Sequence, residues 1–399
     1  MKPYTIVETF VGCGGAHLGF KKNGFKSLLV NDINKDMLDT LLLNNVTTKD
    51  KMYLGSIYDL RGKLLQKHVS EPVDVLFGGI VCKGFSLAGV RNPFDKRNYL
   101  YKEQLRLVEE LRPKVSIIEN VAGLKSMYLY RENDAIVEIM KKYETLLNKN
   151  KTLNGTKTAS RKRGDKYNDI QSHIVSNQIQ MKAILNSITD FKFKVFEEIK
   201  HQYDQLGYNV YSKVMDASLY GSFTRRKRLI IVAIRRDIKK TFYFPEQVKR
   251  VKTLQDALNL IQYDGNNHPD VDKENKAIKH KPTTVLRFHH IPEGKTLVDV
   301  MDEIPTKLRL SSRFSRGSAS RLHRNKTVPT LVPGHCNFPI HPWEDRLITI
   351  REAATITGFP ISYKFSGNLT SRYIQVGNAV PVHLADVLAR SVRNLLSTT

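Results

Sequence analysis

Residues 4–15 read Tyr4-Thr5-Ile6-Val7-Glu8-Thr9-Phe10-Val11-Gly12-Cys13-Gly14-Gly15. The first seven are a β-branched and aromatic run of strand length, and the glycines follow directly, ahead of a helical stretch. A strand that breaks into a glycine turn and then a helix is the opening unit of an open α/β sheet, which binds ligands beyond the carboxyl ends of its strands. Glycines there allow a tight turn and a close approach to a bound molecule. The spacing is not the GxGxxG of dinucleotide-binding loops.

Working outward, Ser27-Leu28-Leu29-Val30-Asn31, Val73-Asp74-Val75-Leu76-Phe77 and Val115-Ser116-Ile117-Ile118-Glu119 read as further strands, with Leu229 to Ile234 as a later buried one. Helical segments alternate with them, such as Lys102 to Leu111, which ends at Pro113. This alternation predicts an α/β fold with a mostly parallel sheet. Asp32 closes the second strand, where a carboxylate can accept hydrogen bonds from ribose hydroxyls.

From about Tyr130 to Ile199 the chain turns to Lys, Asn and Gln around a basic knot, Lys157 to Gly164, and reads as an inserted pair of helices about a basic loop. Lys239 to about Arg324 is polar, basic and irregular, and Leu347 to Leu396 returns to helical patterning. The expected organisation is a catalytic domain over 1–238 carrying the insertion at about 130–199, a smaller irregular domain over 239–325, and a segment over 326–399 that rejoins the first.

The 399 residues carry a net charge of +25 with 41% hydrophobic residues. That charge favours a polyanionic partner through counterion release, with nucleic acid the first candidate. No apolar run approaches the ~20 residues of a membrane helix, and Met1 to Glu8 has no signal-peptide core. The expectation is a soluble, cytoplasmic protein. Cys13, Cys82 and Cys336 are odd in number and far apart, suggesting neither a disulfide framework nor a CxxC metal site.

Gly78-Gly79-Ile80-Val81-Cys82-Lys83-Gly84-Phe85-Ser86 follows the third of these strands. A cysteine on a glycine-flanked loop at a strand end is well placed as a nucleophile, and Lys83 can help hold the reactive thiolate; a lone cysteine is more often an inert core residue. Glu119 ends another strand and would face the same crevice, where it can donate a proton, although a surface carboxylate fits equally well. In Thr224-Arg225-Arg226-Lys227-Arg228, alternation puts Arg226 and Arg228 on one side, while a solvated charge run is the ordinary explanation. Gly377-Asn378-Ala379-Val380-Pro381 precedes a helix from His383 to Leu395 and alone is only a helix-entry turn.

Taken in this order, and with Arg351-Glu352-Ala353-Ala354 to Gly358-Phe359-Pro360, these segments resemble the cytosine-C5 DNA methyltransferase family of bacterial restriction-modification type, from Thr5 to about Val392. The resemblance implies an S-adenosylmethionine (AdoMet) fold of the Rossmann-like kind with a small target-recognition domain, and no metal. By position, Phe10, Gly12, Gly14, Asp32, Ile57 and Leu100 match the AdoMet site, and Asn378 matches a residue bracing the active-site loop beside it. Cys82 matches the nucleophile that adds to C6 of a flipped cytosine, Glu119 the proton donor to N3, and Arg226 and Arg228 the arginines around the base. Ser86, on the loop that would close over the base, and Thr330, beside the recognition domain, match DNA contacts. Arg287, His289, Arg309, Arg313, Arg316 and Arg321 are candidates to read bases, with Arg313 and Arg316 on the favoured loop at 311–321.

The implied partner is double-stranded DNA, with a cognate restriction endonuclease acting on the same site; the protein is expected to be a monomer, associated with the nucleoid. The sequence departs from the family where Val81-Cys82-Lys83 replaces Pro-Cys-Gln, where Thr224 replaces a glutamine, and where Ser56 replaces an acid. Two other readings stand beside this one: methylation of cytosine C5 in tRNA, and a catalytically impaired DNA-binding homologue.

Overall fold

The computed structural model describes residues 3–81, 92–131, 133–159, 164–261, 272–310, 317–334 and 337–397. Its strands are β1 (Thr5–Thr9), β2 (Lys26–Asp32), β3 (Met52–Leu54), β4 (Val75–Gly79), β5 (Val115–Val121), β6 (Tyr128–Tyr130), β7 (Lys192–Lys194), β8 (Tyr208–Asp216), β9 (Thr224–Arg225), β10 (Lys227–Arg235) and β11 (Val328–Pro329). Its helices are α1 (Gly15–Lys22), α2 (Lys35–Leu43), α3 (Gly62–His68), α4 (Tyr101–Leu111), α5 (Asp134–Ala159), α6 (Gly164–Ser187), α7 (Val195–Gln205), α8 (Leu254–Leu258), α9 (Pro282–His289), α10 (Ile350–Thr357), α11 (Leu369–Asn378) and α12 (Val382–Ser397).

The chain divides into two compact units, one of residues 1–81, 101–122 and 203–399, the other of residues 82–100 and 123–202. The first contains a seven-stranded sheet in the order β3-β2-β1-β4-β5-β10-β8. All neighbours pair in parallel except β10, which runs antiparallel to both β5 and β8. The α/β, mostly parallel reading therefore holds. All five residues of β1 are buried, as expected of a strand covered on both faces. On one face, Ile6, Val75, Phe77, Ile117, Ile230 and Val232 share a core with Phe20 of α1 and Leu384, Leu388 and Val392 of α12. The first and last helices thus cover the same side of the sheet.

Two strands of the seven-stranded sheet escaped the sequence reading. β3 has only three residues, and β8 is largely half-buried, so neither gives a sustained apolar run. The Gly377 to Pro381 segment is not simply a helix entry: Gly377 and Asn378 end α11, and the turn joins α11 to α12. Within 351–360 the motif is architectural. Thr349 and Glu352 form a capping box on α10, and the buried Arg351 bonds Asp272 Oδ2 at 2.7 Å and the Tyr363 carbonyl at 2.7 Å. The irregular stretch has its own small core, formed by Phe288, Ile291, Leu297, Val300, Ile304 and Leu308 with Ile340 and Leu347.

In the second unit α5 and α6 form the expected helix pair, and β6 and β7 form an antiparallel two-stranded sheet. Phe94, Tyr130, Ile136, Tyr143, Leu147 and Ile188 make its core.

Candidate active site

The β1–α1 turn is built around positive backbone φ angles at Phe10 (53°), Gly12 (57°) and Gly14 (90°). Glycine adopts such angles freely; a phenylalanine there is strained, and strain of this kind concentrates at ligand sites. The turn is tied to β2 through Asp32, whose Oδ2 accepts from the Gly12 N–H at 3.0 Å and whose Oδ1 accepts from the Asn34 N–H at 2.9 Å. Burial raises the Asp32 carboxyl above the usual carboxylate range, against those two hydrogen bonds. Each oxygen keeps a lone pair for a further donor such as a ribose hydroxyl. Next to it, Ile33 is 75% exposed, an apolar side chain held in water where a purine face can cover it. Sequence reasoning passed over Ile33, although an isoleucine just beyond a strand end in a polar turn is a usable signal. These features fit an adenosine moiety. Ile57 is packed inward, and its carbonyl accepts from Arg106. Leu100 is buried within the second unit.

Farther along the sheet, register brings the catalytic candidates together. Gly79 pairs with Glu119, Ile230 with Glu119, and Arg228 with Val121. Arg228 Nε lies 2.8 Å from Glu119 Oε1, with the two side chains 12% and 9% exposed. A charge-assisted contact at this burial fixes both groups. Asn120 is buried, and its Nδ2 donates to the Ile80 carbonyl at 3.2 Å, tying the end of β5 to the segment that leads into Cys82. Asn120 had no assigned role in the sequence reading. Cys82 and Ser86 lie outside the described residues, as do Cys336, Arg313 and Arg316. Cys13 is buried and its Sγ donates to the Gln375 carbonyl at 3.3 Å; burial pushes its thiol strongly up, so it is unreactive.

Arg226 does a different job from Arg228. It is 5% exposed and sits between β9 and β10. Its Nη1 donates to the Gly377 carbonyl at 2.9 Å and the Leu331 carbonyl at 3.4 Å, and its Nη2 to the Asn378 carbonyl at 3.0 Å. β11 pairs with β9, and Thr330 Oγ1 donates to the Arg225 carbonyl at 2.8 Å. Arg226, Thr330 and Asn378 therefore meet at one junction, while Arg228 joins Glu119. The Asn378 side chain is exposed.

Among the candidate base readers, Arg321 requires correction. It is 6% exposed, and its guanidinium bonds the carbonyls of Phe288, Ile291, His341 and Glu344 and the Asp345 carboxylate. That arginine holds the small core together and does not face a groove. Arg287 and Arg309 each spend Nε on a main-chain carbonyl, and His289 pairs with Asp345. Among the described residues, no group of three or more His, Cys, Asp or Glu is placed to hold a metal ion, and no helix is long and apolar enough to cross a membrane.

The family model for C-5 cytosine-specific DNA methylases matches residues 4–155 and 182–394. Type II methyltransferase M.Eco47II of Escherichia coli is 29% identical over 407 residues, covering 98% of this chain and 79% of that one. Type II methyltransferase M.Sau96I of Staphylococcus aureus is 28% identical over 405 residues, covering 99% and 77%. Among solved structures, a prophage-encoded chain of E. coli described as a DNA modification methyltransferase superposes with a TM-score of 0.65 at 19% identity, covering 99% of each chain. The methyltransferase EhMeth of Entamoeba histolytica superposes at 0.58 with 13% identity, also over 99% of each chain. At these identities the structural likeness concerns the fold.

Proposed function

Because the chain belongs to the C-5 cytosine-specific DNA methylase family and is a DNA cytosine-5 methyltransferase, we propose that it acts on a cytosine rotated out of a duplex, with Cys82 as covalent nucleophile. The supporting observation is the convergence at the ends of β4 and β5: Glu119 in register with Gly79, Arg228 on Glu119, and Asn120 on the Ile80 carbonyl two residues before Cys82.

C5 of cytosine is a poor nucleophile until the ring is made electron-rich. Addition of the Cys82 thiolate to C6, with a proton delivered to N3 by Glu119, converts the ring to an enamine whose C5 can attack an electrophilic methyl group. Arg228, fixed by Glu119, stabilises charge on the O2 side. AdoMet would supply that methyl group as a sulfonium; the Phe10–Gly14 turn, Asp32 and Ile33 would hold it, the carboxylate suited to ribose hydroxyls and the isoleucine to an adenine face. As the C5–methyl bond forms, the methyl–sulfonium bond would break and leave a neutral thioether; removal of the C5 proton by a base, with the N3 proton returned to Glu119, then expels the Cys82 thiolate from C6 and restores the aromatic ring. The base reaches such a site only outside the helix, at a cost of a few kcal/mol in lost stacking and pairing.

The type II relatives support a role in marking host DNA against an endonuclease of the same specificity, with residues 239–325 reading the site. The decisive experiment is trapping on duplex DNA containing 5-fluorocytosine in the presence of AdoMet. A covalent complex is expected from the native protein and none from Cys82→Ala, which should still bind DNA. Absence of the complex with native protein overturns the covalent route. Bisulfite sequencing of DNA from expressing cells reports the target, and competition between duplex DNA and tRNA decides the polymer.

A further inference from the structure

The catalytic reading makes no use of the exposed face of β6 and β7 in the second unit. Tyr128 is 39% exposed there. The Lys192 ammonium lies 4.4 Å from the centre of its ring and the Lys194 ammonium 5.7 Å away, Lys194 being its cross-strand partner. Beside them, Lys125 and Lys200 lie 5.6 and 5.5 Å from the buried Phe196 ring. All four lysines are exposed. Lys200 is shared with Glu197, whereas among the described residues no carboxylate pairs with Lys125, Lys192 or Lys194. Cation–π contacts hold these ammonium groups in place without neutralising them. An exposed tyrosine set among ordered cations offers a polyanion both charge and a hydroxyl donor.

We propose that this face is a second DNA-contacting surface, gripping phosphates that flank the target site. It rests on the reading that the chain modifies duplex DNA. The net charge of +25 and the DNA-modifying family favour DNA over an acidic protein as the occupant, and β6 is firmly anchored. The Tyr130 carbonyl accepts from Tyr99 Oη at 2.7 Å, and the Tyr130 ring lies 5.4 Å from that of Phe94. The strand bearing Tyr128 is thus pinned to the stretch that follows Cys82 by ten to twenty residues. The contact is independent of sequence, because phosphates carry no base identity.

The test is the salt dependence of duplex binding by the full-length protein, read by fluorescence anisotropy on a mixed-sequence 40-base-pair duplex and on one carrying the mapped target. Losing two phosphate contacts in Lys192→Gln/Lys194→Gln should flatten the slope of log K against log salt by about 2. Affinity should fall about tenfold or more on both duplexes, with kcat at saturating DNA and thermal midpoint unchanged. Tyr128→Ala should weaken binding with little change in slope. An unchanged slope overturns the proposal. The outcomes separate from those of the catalytic reading: a flattened slope without a 5-fluorocytosine adduct removes the covalent mechanism alone, and an adduct with an unchanged slope removes this surface alone.

Discussion

At the scale of single residues, two arginines two positions apart have different partners. Arg228 bonds the Glu119 carboxylate, whereas Arg226 is spent on carbonyls from two distant segments. Arg228→Ala should therefore lower kcat by about 100-fold or more with a modest shift in thermal midpoint. Arg226→Ala leaves buried carbonyls unsatisfied and should cost about 2–4 kcal/mol of stability. Urea denaturation and single-turnover methylation of both variants check the division; equal effects on both readouts would refute it. The sequence marks both positions but cannot separate them, since which carbonyls lie within reach depends on how residues 331 and 377–378 return. Arg321 is the same lesson in reverse: its charge suggested a base contact, and only the fold reveals the carbonyls around it.

At the scale of elements, α1 approaches the α11–α12 turn so closely that a Cβ at Gly15 would stand 2.1 Å from the Val380 carbonyl oxygen. Gly15→Ala should force the two apart, destabilising the protein by about 1–3 kcal/mol and weakening AdoMet binding, since the same turn carries Gly12 and Gly14. Isothermal titration alongside denaturation tests this, and unaltered values would show that the contact yields freely. Elements of this kind were legible where burial is two-sided: β1, β2, β4, β5 and β10 declare themselves as apolar runs. β8 did not, because much of it is only half-buried, and the Asn120 tie to Ile80 did not, because it depends on the register between β4 and β5.

At the scale of the whole molecule, buried histidines set the acid limit. Burial pushes His341 and His383 down to about 4, below the ~6.5 of an unfolded histidine. Because the folded values are depressed, the unfolded chain takes up protons first as pH falls. The stability these neutral rings contribute is present above pH ~6.5 and drains away between there and pH 4, by about 3 kcal/mol each. His17 works the other way. Burial alone would lower it, but the Glu8 carboxylate raises it overall, so its contribution is full below the unfolded value and fades as pH rises through the folded one. Burial lowers His280 as well, so with three against one the urea midpoint should drop steeply from pH 6.5 to 4, with His383→Gln flattening the drop; an equal midpoint at pH 7 and 4.5 would contradict this. The pairing of α1 with α12 also bears on when the enzyme comes to life. The turn that would cradle AdoMet is backed at Gly15 by Val380, made 365 residues later, so at ~5–20 residues per second a nascent chain waits tens of seconds before its cofactor pocket has a floor. Methylation thus waits until α12 has left the ribosome.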